Sequence, residues 1–385
     1  MSKPVMGIDI RVLVLGKRTG VEEYLLNLLP RMIEKNPEIT FRLFYNAWRK
    51  QKLAYPWLNA GNVELNERSI PNRPLLAAHA LVDWPKADKL IGGCDVFWSP
   101  HMVNVALSRN VRHVITVHDL AFERYPEFFS REKLWWHRYL MIPRRQLASA
   151  DHLIAVSHST KHDLGNLYGI PKERIGVIYP GVGNEFLPLE KTNPRLYEVK
   201  KKYRLPEHFI LYFGTLEPRK NITGLIKAFG ILKSYQLSAK SYKLVIAGTK
   251  GWLCRDIFKT AKISSYSDDI VFTGFVADED KPALYNLAEA FVYPSFFEGF
   301  GFPPLEAMAC GVPVVTSNRS SLPEVCGNAA ILIDPYRPSE MAEAISTLLS
   351  GARAKEMMVG RGIERTKMFS WDVCAKNTLR ALLGE

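Results

Sequence analysis

No stretch of this 385-residue sequence is apolar for long enough to cross a bilayer as a helix, which takes about 20 residues. Its opening, MSKPVMGIDIR, lacks the apolar core of a secretion signal. No CxxC pair occurs among the five cysteines (Cys94, Cys254, Cys310, Cys326 and Cys374), which are odd in number and scattered. That speaks against a disulfide framework and against a zinc site of the usual spacing, and for a reducing compartment. A cytoplasmic protein is expected. A basic tail or domain is also missing. The net charge is +12, yet it divides evenly, with 25 basic and 19 acidic residues up to Glu190 and 26 and 20 beyond it. With no recognition-helix signature and no aromatic platform either, nucleic acid is not an expected partner.

What is present is ordinary for a globular chain, at 47% hydrophobic and 23% charged residues. The length calls for two domains rather than one. The first segment begins with an apolar strand, turns through a loop at Gly16 to Gly20, and enters a helix on which Val21, Tyr24, Leu25, Leu28 and Leu29 recur at helical spacing. This puts Gly20 where backbone amides can face a phosphate, although most such glycines only form turns. Strands at Phe41 to Tyr45, Val63 to Leu65, Val96 to Trp98, Val111 to Val117 and His152 to Val156 alternate with helical stretches. Alternation of this kind predicts a parallel, doubly wound α/β sheet, with ligands beyond the C-terminal strand ends. His118 stands there, as a functional group or as a satisfied structural histidine. Ser157 and Ser159 are candidate helix caps.

Arg131, Lys133, Arg138, Arg144 and Arg145 interleave with Trp135, Trp136, Tyr139 and Leu140. Such a mixture suits peripheral contact with an anionic membrane face, or an ordinary amphipathic helix with its tryptophans in the core. A charged run near Glu190 marks the change of domain. The expected division is 1–188, 189–365 and a C-terminal helix over 366–385, with that helix packing back on the N-terminal domain.

The second half restarts with FILYFGTLEPRKN, a strand ending at Gly214-Thr215 with Arg219 and Lys220 just before the next helix. Two cations beside helix-terminal amides make a pyrophosphate clamp, against the plainer reading of two solvated charges. Further on, YPSFFEGFGFPPLEAMACGVPVV places Glu298 in a glycine loop and Glu306 in the first turn of a helix entered through Pro303 and Pro304. The amides of Phe300, Gly301 and Phe302 would lie at that helix's N-terminus, where partial positive charge favours anions and hydroxyl oxygens. Two carboxylates beside such amides suit a hydroxyl-rich, anionic ligand such as a nucleotide sugar. Ser317, Asn318 and Ser320 offer polar groups nearby. Asp278-Glu279-Asp280 matches a metal-binding DxD pattern, but as acids at a helix start they need no metal.

The PRKN segment and the E-x7-E pattern in EGFGFPPLEAMACGVPVV closely resemble the retaining glycosyltransferases of family 4. GIDIRVLVLGKRTGVEEYLLNLL, HVITVHDLAFERYPE and IAVSHSTKHDL resemble the bacterial mannosyltransferases that build O-antigen and related polysaccharides. The resemblance implies the GT-B fold, two Rossmann-like doubly wound domains facing across a deep cleft. It implies transfer of a sugar, mannose from GDP-mannose by preference, to a lipid-linked saccharide or polysaccharide at the inner membrane face. No metal or other cofactor is implied.

By position, Glu298 would lie near the anomeric carbon, and Arg219 and Lys220 would neutralise the diphosphate. His118 would approach the transferred sugar. Thr215, Phe300, Gly301, Phe302 and Glu306 would bind the donor, Glu306 through the ribose. Gly20 would present its amide, although the single glycine in KRTGVEE departs from the two that many relatives carry. The alternatives are a synthase or phosphorylase acting on a small soluble acceptor, and a non-catalytic nucleotide-sugar-binding protein.

Overall fold

The computed structural model describes residues 3–14, 19–48, 53–235 and 241–385. The chain forms two compact units. Residues 1–124, 131–181 and 370–385 make the first, and residues 125–130 and 182–369 the second. The chain thus leaves the first unit at Gly181 and returns at Ser370, against the expected divisions at 188 and 365.

The first unit holds seven parallel strands: β1 (Val5–Asp9), β2 (Thr40–Asn46), β3 (Val63–Arg68), β4 (Val96–Ser99), β5 (Arg112–Val117), β6 (His152–Ala155) and β7 (Ile175–Val177). Their order is β3-β2-β1-β4-β5-β6-β7. The second unit holds six: β8 (Phe209–Phe213), β9 (Lys243–Ala247), β10 (Ile270–Gly274), β11 (Ala290–Tyr293), β12 (Val314–Ser317) and β13 (Ala330–Ile333), in the order β10-β9-β8-β11-β12-β13. Every pairing is parallel. Parallel sheets are covered on both faces, so central strands must be apolar on both. AFVY and VFWS are buried throughout, whereas the edge strand β3 reads VELNER and is partly exposed. Both expected sheets are present.

In each sheet the strand order reverses once, between β1 and β4 and between β8 and β11. Ligands of doubly wound sheets bind outside the carboxyl ends of the strands at that reversal. The fold therefore offers two such places, one per unit.

Local chemistry fixes the elements leading there. Thr19 caps the helix Gly20–Lys35, its side chain accepting from the Glu22 amide while the Glu22 carboxylate accepts from the Thr19 amide. Gly20 is the first residue of that helix, and residues 15–18 of the expected loop lie outside the described residues. The helix Trp371–Leu383 packs on Gly20–Lys35 through Tyr24 and Trp371, with ring centroids 6.0 Å apart, and through a 2.5 Å ion pair of Lys35 with Asp372.

The basic-aromatic stretch is not one helix. A helix over Arg131–Trp136 widens into a π turn at His137–Met141 and breaks at Ile142, which is left-handed with φ 41°. Pro143 follows, and a proline disfavours helical geometry in the residue before it. Of the tryptophans, Trp136 is half-buried but Trp135 is 55% exposed, so the reading of both as core fails for Trp135.

In the second unit the strand ends are packed backbone to backbone. Gly248 follows β9 with φ 131°, and a Cβ there would lie 2.0 Å from the carbonyl oxygen of Gly214. Only glycine fits. Gly248→Ala is expected to cost about 2 kcal/mol or more, and to lower the melting temperature followed by circular dichroism. Gly61→Ala, where a Cβ meets nothing within 4 Å, is the control and should melt with the wild type.

Candidate functional site

At the reversal of the second sheet, β8 is followed by Gly214 and Thr215, and β11 ends at Tyr293. After β8 the chain makes a 3₁₀ turn at Pro218–Lys220 and then places Asn221 in the left-handed region at φ 55°. The Asn221 side chain holds that strained residue by donating to the Pro335 carbonyl at 2.7 Å. The turn aims Arg219 and Lys220 toward the loop that follows β11. Arg219 Nη1 donates to the Phe297 carbonyl at 2.7 Å and to Glu298 Oε2 at 3.0 Å, and its Nη2 to Glu217 Oε1 at 2.8 Å. Lys220 Nζ reaches Glu298 Oε1 at 2.6 Å and the Tyr293 hydroxyl at 2.7 Å.

Lys220 and Glu298 are removed from water, at 7% and 6% exposure, and the Arg219 side chain keeps 12%. Burial alone would raise the Glu298 carboxyl, but Arg219 and Lys220 outweigh it and hold the group down at about 2. Burial and the neighbouring Arg219 lower the Lys220 ammonium from its usual value, with Glu298 and Glu217 opposing. The cluster is therefore a carboxylate clamped between two cations. One cation leans on a second carboxylate, Glu217, and the other on a phenol.

The loop around Glu298 is tied down by serines. The Glu298 amide donates to Ser320 Oγ at 2.8 Å, and Ser321 Oγ donates to the carbonyls of Glu298 and Phe300 at 3.0 and 2.7 Å. Gly301 then caps the helix Phe302–Ala309 with φ 109°, and a Cβ there would press Leu322 at 2.8 Å. This left-handed cap starts the helix at Phe302, ahead of the two prolines. Glu306 consequently stands in the second turn, a correction to the first-turn position expected from sequence. Tyr285 fixes it by donating its hydroxyl to Oε2 at 2.7 Å.

Thr215 is exposed beside this cluster, its carbonyl accepting from the Tyr212 hydroxyl at 3.3 Å. Asp280 of the DxD segment is buried and ion-paired to Arg195 and Lys202. No group of three or more metal-ligating side chains occurs among the described residues.

His118 and Gly20 belong to the first unit. His118 follows β5 and donates Nε2–H to the Pro100 carbonyl at 2.8 Å, which fixes the neutral tautomer and leaves Nδ1 as the acceptor. Its ring meets Tyr24 edge-on at 5.0 Å, and burial lowers its pKa. Ser157, not Ser159, caps the helix His158–Tyr168, accepting from the Thr160 amide.

Residues 197–365 match the family model described as glycosyl transferases group 1, and residues 18–186 match glycosyltransferase family 4. Over 287 residues the chain is 34% identical to O-antigen chain mannosyltransferase B of Escherichia coli, covering 74% of this chain and 72% of that protein. The chain belongs to glycosyltransferase family 4.

Its fold is that of solved GT-B glycosyltransferases. Sucrose-phosphate synthase from Thermosynechococcus elongatus superposes with a TM-score of 0.75 at 19% identity, covering 98% of each chain. WaaG, a glycosyltransferase involved in lipopolysaccharide biosynthesis, superposes with a TM-score of 0.72 at 15% identity, covering 99% of this chain and 100% of that one.

In this glycosyltransferase the structure brings Glu298, Arg219 and Lys220 into one hydrogen-bonded cluster, with Thr215, Gly301 and Glu306 in the same unit. Sequence reasoning missed Glu217, Tyr293, Tyr285 and Ser321. Glu217 lies two residues before Arg219, and only that spacing could have drawn notice. The two tyrosines look like core aromatics, and nothing in the sequence announces their hydroxyl partners.

The cluster makes stability depend on pH. The Glu298 carboxyl is lower in the folded than in the unfolded chain, where 4.5 is ordinary. Its stabilisation is therefore full above about 4.5 and is lost as pH falls toward about 2. Glu298→Gln, which leaves two buried cations short of a partner, should melt well below the wild type at pH 7. That gap should narrow steadily between pH 4.5 and 2, as read by thermal denaturation across the series.

Proposed function

We propose that this glycosyltransferase moves mannose from GDP-mannose to a lipid-linked saccharide or growing polysaccharide at the cytoplasmic membrane face, with retention of configuration and without a metal. The observation that carries the reaction is the Glu298–Arg219–Lys220 cluster at the reversal of the second sheet. The choice of mannose and of a polysaccharide acceptor rests on the likeness to O-antigen chain mannosyltransferase B.

Negative charge grows on a departing diphosphate while the sugar becomes oxocarbenium-like. Arg219 and Lys220, already desolvated and positioned, would stabilise that charge without reorganisation. Glu298, still paired with the two cations, would accept from sugar hydroxyls through its remaining lone pairs. Glu306, oriented by Tyr285, would take the ribose hydroxyls, and Thr215 and the amides of Phe300, Gly301 and Phe302 the phosphate and sugar oxygens.

A carboxylate held near 2 by two cations is weakly basic and a weak nucleophile. This favours same-face attack assisted by the leaving phosphate over a covalent intermediate on Glu298. His118, neutral with Nδ1 as acceptor, suits hydrogen bonding to the transferred sugar, and Gly20 stands at a helix N-terminus for an anionic group.

Peripheral membrane contact has its own support. Trp135 and Tyr139 are exposed. The helix Asn72–Leu81 packs against the turn bearing Tyr139 and ends in exposed Leu81 and Val82, with exposed Trp84 next. Arg131, Arg138, Arg144 and Arg145 are exposed on the same stretch, and Arg145 donates to the Ala80 carbonyl of that helix at 2.8 Å, a basic and aromatic composition that suits an anionic-lipid interface.

Lys220→Ala is expected to weaken GDP binding by about 2–3 kcal/mol, the size of a charge-assisted contact. Calorimetry giving wild-type GDP affinity would remove Lys220 from the clamp. The acceptor is tested with GDP-mannose and either lipid-linked saccharide in anionic vesicles or free sugars. Product in the vesicles supports the proposal, and transfer to free sugars alone overturns it in favour of a small-acceptor synthase.

A further inference from the structure

Residues 125–130 belong to the second unit, yet the chain enters them after β5 and leaves them toward β6, strands of the first. This strap reads YPEFFS. Its 3₁₀ turn over Pro126–Phe128 begins with the proline and is closed by the Phe128 amide donating to the Tyr125 carbonyl at 3.1 Å. Side chains three residues apart eclipse in such a turn. Tyr125 and Phe128 accordingly stack, with ring centroids 5.5 Å apart and planes 13° apart, while Glu127 is exposed.

Both rings meet the loop that carries Glu298. Phe128 stacks on Phe296 with centroids 5.2 Å apart, and Tyr125 tilts against Phe297 at 5.7 Å. Those two residues are tied to Arg219. The Phe296 amide donates to the Arg219 carbonyl at 2.9 Å, and the Phe297 carbonyl accepts from Arg219 Nη1 at 2.7 Å.

A second anchor leads to Glu217, the carboxylate that balances Arg219. Phe129 stacks on Trp252 at 5.7 Å, and Trp252 Nε1 donates to the Phe128 carbonyl at 2.6 Å. The preceding Gly251 sits on the chain that follows β8, its amide donating to the Leu216 carbonyl at 3.0 Å. A Cβ on Gly251 would lie 2.9 Å from that carbonyl oxygen and 3.4 Å from Cβ of Glu217. The strap thus bears on the segments that supply both partners of the guanidinium.

A guanidinium serves a departing diphosphate best when its planar fork is aimed beforehand, by neighbours that are themselves locked by packing. We propose that Tyr125, Phe128, Phe129 and Trp252 are positioning residues for the donor site, holding the Phe296–Phe297 backbone, and with it Arg219, in the orientation that receives the diphosphate. This rests on the diphosphate reading of the cluster given above, and adds that aromatic packing sets its aim as well as the ion pairs. Rings that only buried area would raise stability and leave ligand affinity alone.

The test uses the full chain with GDP as the probe, affinity read by calorimetry and folding by circular dichroism. Phe128→Leu keeps apolar volume without the flat ring, and Phe128→Tyr keeps the ring. Trp252→Phe keeps a ring for Phe129 but removes the N–H that the Phe128 carbonyl accepts. Phe128→Leu and Trp252→Phe are each expected to weaken GDP about fivefold, with Phe128→Tyr within twofold of wild type. Fivefold converts to about 1 kcal/mol, the size of one aromatic pair beyond its buried area. In an Arg219→Lys background, which keeps the charge but not the fork, adding Phe128→Leu should change GDP affinity less than twofold.

Wild-type GDP affinity in folded Phe128→Leu and Trp252→Phe overturns the proposal. So does a fivefold loss repeated in full in the Arg219→Lys background, since the ring would then act on the fold and not through Arg219. If Phe128→Leu does not fold, Trp252→Phe decides. A wild-type chain that binds neither GDP nor UDP overturns the diphosphate clamp itself, and the strap's role with it.

Discussion

A single buried ion cluster organises the second unit. Glu298 gives one oxygen to Arg219 and the other to Lys220, and these residues come from loops after neighbouring strands, β11 and β8. Charges this far from water persist only when each has a partner and the remaining hydrogen-bonding capacity is filled. That requirement explains the surroundings. Glu217 balances Arg219, the Tyr293 hydroxyl accepts a hydrogen bond from Lys220, and Ser320 and Ser321 fix the loop backbone. The cluster is costly as a source of stability and well suited to chemistry, because its dipoles and charges are oriented before any substrate arrives.

The backbone bears part of that cost. Asn221 and Gly301 both adopt left-handed conformations at the two corners of the site, one held by the Pro335 carbonyl and the other by the absence of a Cβ beside Leu322. Strain of this kind survives where surrounding structure over-determines it, and it gathers at functional sites. The first unit repeats the topology. Its strand-end reversal carries the Asp9–Arg11 ion pair, buried like the cluster of the second unit.

Much of this was legible in the sequence. Apolar strands alternating with helices gave two parallel sheets, because a strand covered on both faces must be apolar on both. Glycine loops and paired prolines marked the turn into the helix Phe302–Ala309, and the position of Arg219 and Lys220 between a strand and a helix marked the two cations that meet Glu298. The basic-aromatic stretch was less legible. Its periodicity suggested one helix, yet Pro143 acts through its neighbour Ile142 to break it. The expected first-turn place of Glu306 missed by one step because the left-handed Gly301 lets the helix begin before its prolines.

The sequence by itself determined the alternation of elements, the residue types at the strand ends and the family, since each follows from local pattern or from matched motifs. Tertiary structure alone decided the partners. That Arg219 and Lys220 share Glu298, that Tyr285 orients Glu306, and that His79 and Gln146 both meet Asn104 depends on strands and helices far apart in the chain. Hydrogen bonds act over about 3 Å, and no spacing along a sequence says which side chains the strand order will bring that close.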